Sequence, residues 1–295
     1  MRRAGLTWDG DPRVKPPFGA AEIDWGHPLA RSLDGLWLFN EGAGVCLDSV
    51  RRNDAVLSGA AASHDVSADG RMLRLNAGDA VTSFAAISTR VIAFASGENF
   101  TIGVRFRTTD DYGMLCALRS AASGNPIADL AVGYNGLDDN ATKICGSYRD
   151  DAGAGLALLT NGLVVNDGLV HSAVLVRDGS TIYVRTDGTN ELSGAGSSSA
   201  CTFTTDQQAF GAERNWIATA YGTADQRYLD AVFVEAFIAR RAWSMADLQE
   251  FHTEPYAMLR PRVARRYFVP AGVAGATGGA RIFRRGRRFY RSQAA

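Results

Sequence analysis

The stretch Tyr228-Leu-Asp-Ala-Val-Phe-Val-Glu-Ala-Phe-Ile-Ala-Arg-Arg-Ala-Trp-Ser-Met-Ala-Asp-Leu-Gln-Glu-Phe-His-Thr-Glu254 decides the fold. Its first half alternates apolar residues with polar or small ones at period two, the pattern of a half-buried strand. Its second half opens on Ser244 as the N-cap of a helix. Asp247 follows three residues later as a shortened capping box, and Leu248 and Phe251 recur at helical spacing. A last strand followed at once by one short helix therefore closes the patterned part of the chain.

The remaining sequence agrees with an all-β reading. A chain of 295 residues can bury a sizeable core, and 32 glycines with frequent Asp-Gly, Asn-Gly and Ser-Gly pairs supply turns at short intervals. Leu156-Ala-Leu-Leu159, Ala173-Val-Leu-Val176 and Thr181-Ile-Tyr-Val184 read as short strands, and Asp178-Gly179 and Asp187-Gly188 flank the last of them as turns. No segment reaches the roughly 18 consecutive apolar residues of a membrane helix. The first residues, Met1-Arg-Arg-Ala-Gly-Leu-Thr-Trp8, lack the apolar centre of a signal peptide. A soluble protein outside the classical export route is the expectation.

The strand–helix ending resembles the close of a laminin-G-like, concanavalin A-type jelly roll. In that family the last strand carries an Asp on its inner edge and the helix starts at a Ser, the places of Asp230 and Ser244 here. Other segments are similar in the same order: the aromatic-rich opening His27–Gly44 with its Asn-Glu-Gly-x-Gly turn, Leu73–Val81, Phe100–Arg107 and Asp167–Gly179. The family's glycine-rich Asp-x-Ser loop is reduced to Asp48-Ser49-Val-Arg-Arg-Asn53. The resemblance implies an antiparallel jelly-roll sandwich over 30–254 with one short C-terminal helix, an extended arm over 1–29 and an Arg-rich arm over 255–295.

The charge is unevenly spread. Lys and Arg together balance Asp and Glu at 31 each, yet residues 260–295 hold ten Arg and no acid, leaving 21 basic against 31 acidic residues before them. This tail has a proline-bounded part containing Arg265, Arg266, Tyr267 and Phe268, a small-residue linker over 271–279, and Arg281-Ile-Phe-Arg-Arg-Gly-Arg-Arg-Phe-Tyr-Arg291. Phe283, Phe289 and Tyr290 beside Arg284 and Arg285 ask for a partner surface, since a solvated tail has little use for aromatics. Nucleic acid accepts interleaved Arg and aromatic residues, as does an acidic protein surface. No nucleic-acid fold accompanies them, so protein docking is expected. Residues 1–29 carry Trp8, Phe18 and Trp25 among prolines and read as a second arm with aromatic anchors.

The Pro-Pro-Phe-Gly19 entry, the His27-Pro-Leu-Ala-Arg31 lead-in and the basic exit also resemble laminin-G-like proteins of tailed bacteriophages and prophages. That resemblance implies a non-enzymatic virion component, such as a capsid decoration or a tail or fibre protein. It would be assembled in the host cytoplasm, present in many copies or as a homo-oligomer, and docked on other virion proteins through its arms, with no role for nucleic acid or a membrane. The alternatives are a carbohydrate-binding module for host surface glycans and a polysaccharide hydrolase.

Catalytic signatures are sparse. Glu22-Ile-Asp24 matches only the first half of the Glu-x-Asp-x-x-Glu pattern of jelly-roll glucanases, with His27 in the third place. Serine-nucleophile elbows, zinc-hydrolase motifs and P-loops are missing. His171, after an Asp-Gly turn, reads as a structural histidine at the sandwich edge. Cys46, Cys116, Cys145 and Cys201 read as buried free thiols, with one disulfide of open pairing as the alternative, and the four histidines do not stand at zinc-ligand spacing from them. Asp48, Asp79 and Asp230 match rim carboxylates of the family and form a candidate calcium set, although turn formation with Asx hydrogen bonding is the favoured reading of them. For a glycan, Arg214, Asn215, Trp216 and Tyr221 are the candidates, an aromatic-and-amide loop between two expected strands, and 110–112 and 134–140 offer similar material.

Overall fold

A computed structural model describes residues 8–59, 62–67, 70–76, 83–87, 90–120, 125–133, 142–155, 159–204, 208–212 and 228–262. Two antiparallel sheets face one another. The first has seven strands in the order β12 (Leu159–Val164), β11 (Lys143–Arg149), β10 (Ile127–Val132), β9 (Gly113–Arg119), β17 (Gln208–Phe210), β6 (Phe84–Ile87) and β3 (Ala55–Ser58). The second runs β15 (Asn190–Ala195), β14 (Thr181–Thr186), β13 (His171–Asp178), β8 (Phe100–Thr108), β18 (Ala231–Ala239), β5 (Gly70–Leu75) and β4 (Ser63–Ser67). Its eighth strand, β2 (Leu33–Trp37), pairs with the second half of β18, while β5 pairs with the first half. Two small ribbons complete the set: β1 (Ala21–Ile23) with β19 (Leu259–Pro261), and β7 (Ile92–Phe94) with β16 (Cys201–Phe203). The all-β sandwich with one short helix is as the sequence implies.

Period-two alternation builds the core between the sheets. Phe100, Ile102, Val104 and Phe106 of β8 meet Ala128, Leu130 and Val132 of β10 within one apolar cluster, and Trp37 stands edge-on to Phe210 at 5.2 Å. The helix α1 (Met245–Thr253) begins as its sequence predicts. Ser244 Oγ accepts from the Asp247 amide at 3.2 Å, Asp247 Oδ2 accepts from the Ser244 amide at 2.7 Å, and Leu248 and Phe251 point inward. The Asp187-Gly188 turn also forms, with both residues at positive φ (55° and 66°) and the Thr189 amide donating to the Thr186 carbonyl at 3.2 Å. All four cysteines are free and buried.

Two expectations change. The strand β18 is buried along all nine residues instead of half-buried. A register shift between Phe233 and Glu235 inverts its alternation midway, so Ala231, Phe233, Ala236 and Ile238 face the main core while Phe237 and Ala239 face the opposite side. There Phe237 lies over the backbone of Gly103, where an added Cβ would come within 2.1 Å of its ring. Only glycine permits that approach.

The second change concerns what covers this outer face. The helix residues Leu248 and Phe251 do so jointly with Trp8, Ala20, Ile23, Leu29 and Leu36 from the N-terminal side. Trp8 is 6% exposed and its indole N–H donates to the Val14 carbonyl at 3.0 Å. Backbone bonds join residues 12–24 to 256–262 in this layer: Tyr256 donates to Pro12, Asp24 to Met258 and Arg262 to Ala20, at 2.8–2.9 Å. Residues 8–29 and 255–262 are thus part of the head and not free arms. A strand apolar on both faces needs a second layer, and nine helical residues do not suffice to supply it. The compact unit extends to Arg262, and residues 263–295 lie outside the described residues.

Candidate functional site

The N-terminal layer creates a groove. Pro16, Pro17 and Phe18 pass beside the turn that follows β2, where the Asn40 side-chain amide donates to the Pro16 carbonyl at 2.9 Å. Between them opens a cavity of about 530 Å³ lined by Phe18, Asn40, Glu41, Ser49, Arg52, Asp54 and Arg262, among others. A neighbouring cavity of about 360 Å³ shares Phe18 and Glu41 and adds Lys15, Val66 and Arg71. Phe18 is 50% exposed, so its ring stands partly free at the entrance. Gly42, at φ 90°, lies against Arg71 so closely that a Cβ would overlap the guanidinium.

Beneath the groove the polar groups are buried. Lys15 reaches under the N-terminal layer and donates from Nζ to the Val234 carbonyl at 2.6 Å. Burial drives its ammonium down to about 7, against the pull of Glu235 and Glu41. Glu235 itself is fully buried in β18 and paired with Arg105 at 3.1 Å, and burial raises its carboxyl above the ordinary range. Glu41 accepts from the Leu47 amide through Oε1 at 2.8 Å, while its Oε2 is buried without a hydrogen bond. Cys46 faces it from a bridge to Ala55, and His64 from β4 with Nε2 likewise buried and unbonded. Ligand atoms of these three side chains lie within 4.8 Å of one another. Burial raises Glu41 and Cys46 and lowers His64, so each favours its uncharged form.

The residues singled out from the sequence fare differently. Asp48 is saturated by its own loop: its two oxygens accept from the amides of Leu36, Val50, Arg51 and Asn53 at 2.9–3.0 Å. Asp230 pairs with Arg74 at 3.1 Å. Asp48 bridges to Trp37, and Trp37 pairs with Ala236, six residues along the chain from Asp230, roughly 17–20 Å at strand rise. The two cannot share a calcium ion, and Asp79 lies outside the described residues. The turn role holds for Asp48. The glycan candidates Arg214, Asn215, Trp216 and Tyr221 and the 134–140 segment also lie outside the described residues. So do Arg265, Arg266, Tyr267, Phe268, Phe283, Arg284, Arg285, Phe289 and Tyr290. Asp110 and Asp111 serve local contacts, accepting from the Asp230 amide and from Asn166. Of the N-terminal anchors, Trp8 is committed to the protein's own core, which removes it as a docking residue, whereas Phe18 and Trp25 (52%) remain half exposed.

Catalytic arrangements among the described residues resolve into structural ones. Glu22 pairs with Arg260 at 2.9 Å on the β1–β19 ribbon, Asp24 caps the Gly26 amide, and His27 meets Glu250 at 3.2 Å. Ser172, His252 and Asp187 come together, but Ser172 Oγ at 3.1 Å and Asp187 at 3.6 Å address the same nitrogen, Nδ1. A relay needs one nitrogen for each, and Ser172 is buried. His171 is clamped between Asp187 at 2.7 Å and Asp167 at 2.9 Å. Burial alone would lower its pKa, but the two carboxylates together raise it. It is a structural histidine fixing the start of β13 to the Asp187-Gly188 turn.

No protein-family model and no curated protein sequence matches the chain. Solved structures do. Trypanosoma rangeli sialidase in complex with sialic acid is similar with a TM-score of 0.54 at 13% identity, over 84% of this chain and 37% of that one. A mutant of the same enzyme displaying trans-sialidase activity gives 0.53 at 14%, over 77% and 34%. The binding domain of Paraclostridial Mosquitocidal Protein 1 gives 0.51 at 12%, over 76% and 52%. The chain spans between a third and about half the length of these proteins, and the likeness is one of fold, a β-sandwich.

The groove and the Glu41–Cys46–His64 group escape sequence reading. Their members come from a turn, a bridge and an edge strand 23 residues apart end to end, with no ligand spacing. The one linear hint is Lys15, one of only two lysines, set beside two prolines.

Proposed function

We propose that the chain is a non-catalytic recognition module whose head binds carbohydrate in the groove beside Phe18. The observation that carries this reading is the half-exposed Phe18 ring at the mouth of a cavity of about 530 Å³, with Arg52, Asp54 and Arg262 on its walls. A pyranose offers one apolar face of C–H groups and a rim of hydroxyls. An aromatic platform serves the first, and charged or amide side chains serve the second. The volume lies within the usual range for small-ligand sites, roughly 300–1,000 Å³. The same fold occurs in a sialidase solved with sialic acid and in a toxin-type binding domain. Fold alone assigns no ligand, so the groove has to support the reading.

A glycan array followed by titration of the best saccharide tests it. Phe18→Ala and Arg262→Ala should each weaken binding by about tenfold or more while leaving the melting temperature within a degree or two. Absence of saccharide binding by the unaltered chain, or full affinity in both variants, would refute it.

A second reading concerns what the head is mounted on. Ten arginines, no acid, and Phe283, Phe289 and Tyr290 follow residue 259, mostly beyond Arg262. This supports a docking tail that fastens many copies of the head to a virion surface. Pull-downs over a salt series separate protein docking, in which apolar burial survives salt, from phosphate contacts, whose affinity falls with a log–log slope of about 0.9 per neutralised phosphate.

A further inference from the structure

We propose that Glu41, Cys46 and His64 form a three-ligand site for a zinc-class divalent transition ion at the edge where β3 and β4 approach one another. It goes beyond the saccharide reading and does not depend on it.

The donor set is the first reason. A thiolate, an imidazole and a carboxylate are the ligands that zinc accepts, and three protein ligands with one exchangeable position is a common zinc arrangement. The second reason is that the group is unsatisfied as it stands. Glu41 Oε2 and His64 Nε2 are both buried and lack hydrogen bonds, although an unpaired buried polar atom is costly. An ion accepting both lone pairs relieves both defects at once.

Geometry and charge agree. Tetrahedral zinc with bonds of about 2.0–2.3 Å places its ligand atoms roughly 3.3–3.8 Å apart. The atoms here already lie within 4.8 Å of one another, so side-chain rotation closes the site without moving backbone. The backbone is well held: Cys46 exchanges two hydrogen bonds with Ala55 at 2.8–2.9 Å, and His64 stands opposite Leu73 in the β4–β5 ladder. The Leu47 amide on Glu41 Oε1 orients the carboxylate from behind, as outer-shell partners of metal ligands do. On binding, the Cys46 thiol and the Glu41 carboxyl release their protons to solvent, and the thiolate and carboxylate so formed neutralise the dication, which suits a buried place.

The cations facing the group are Lys15 and Arg71. Glu41 borders both cavities beside Phe18, which gives the ion an entry path.

The test uses the full chain, stripped with chelator and titrated with cobalt(II) chloride, then with zinc chloride in competition. One cobalt per chain is expected, with a near-ultraviolet thiolate-to-cobalt charge-transfer band and intense visible bands of tetrahedral coordination, all displaced by zinc. Cys46→Ser should abolish the charge-transfer band. His64→Gln, on an edge strand and therefore tolerated by the fold, should weaken binding at least tenfold. Should Cys46→Ser fail to fold, His64→Gln decides alone. No stoichiometric cobalt binding, an absent charge-transfer band, or a band and affinity unchanged in His64→Gln would overturn the site.

Discussion

Replacing Lys15 by Met should reverse its effect on stability between acid and alkaline solution. Lys15 is 6% exposed, and its pKa falls from the ordinary 10.5 to about 7 because burial outweighs the neighbouring Glu235 and Glu41. At 1.36 kcal/mol per pH unit, that difference corresponds to about 5 kcal/mol. The sign follows from proton counting. Between pH 7 and 10.5 the unfolded chain holds the Lys15 proton and the folded one does not, so this residue makes stability rise with pH through that window. Below pH 7 the folded state carries the whole penalty of a buried ammonium. Lys15→Met removes the penalty and loses the bond to the Val234 carbonyl, a loss of about 1–3 kcal/mol. The variant should therefore be more stable than the parent at pH 6 by roughly 2–4 kcal/mol and less stable at pH 10 by up to about 2 kcal/mol. Urea denaturation of both proteins at several pH values measures the difference, and titrations common to the two cancel. Parallel stability curves from pH 6 to 10 would refute the placement of Lys15 under the N-terminal layer.

Trp8→Ala should lower stability by about 3–5 kcal/mol, as for other buried aromatics, and deletion of residues 1–26 should prevent folding of the head; a full-strength melting transition in either protein would return this segment to the status of a free arm. His171→Gln should destabilise the protein at pH 5.5 and much less at pH 9. The raised pKa of His171 makes its contribution complete below the ordinary value of 6.5 and lost as pH climbs through the folded value, and equal losses at both pH values in denaturation midpoints would contradict the clamp by Asp187 and Asp167. Deleting 263–295 should leave the head's thermal transition unchanged within a degree or two, because the compact unit ends at Arg262; a large drop would place the tail in the core. Millimolar calcium should leave the melting temperature unchanged, since Asp48 already accepts four amides, and a rise of several degrees through linkage would restore a calcium site.

Local signals in the sequence were legible wherever neighbours along the chain decide the outcome. The Ser244–Asp247 capping box, the positive-φ Asp187-Gly188 turn and the alternating Phe100–Phe106 run all formed where their residues indicate. What the sequence hid is what depends on distant partners. The alternation of β18 looked half-buried because the register shift at Phe233–Glu235 inverts it, and nothing local announces that Trp8 and Leu29 will cover the other face. The proline-rich character of residues 8–29 suggested an arm because prolines exclude regular structure, yet chain irregularity says nothing about burial. Asp48 and Asp230 matched family positions one by one, while their separation along β18 emerged only from the pairing of Trp37. Cys46 and His64, far from zinc-motif spacing, meet because β3 and β4 end on neighbouring edges of two different sheets.

The central claim is that the groove beside Phe18 is a saccharide site, and saccharide-observed NMR on the full chain, by saturation transfer from the protein, tests it most directly. With the unaltered chain, saturation should reach the C–H protons on one face of a pyranose ring, and Phe18→Ala should remove that transfer while the protein stays folded. Saturation transfer of equal strength in the Phe18→Ala protein, or none in either protein across a panel of surface saccharides, would contradict it.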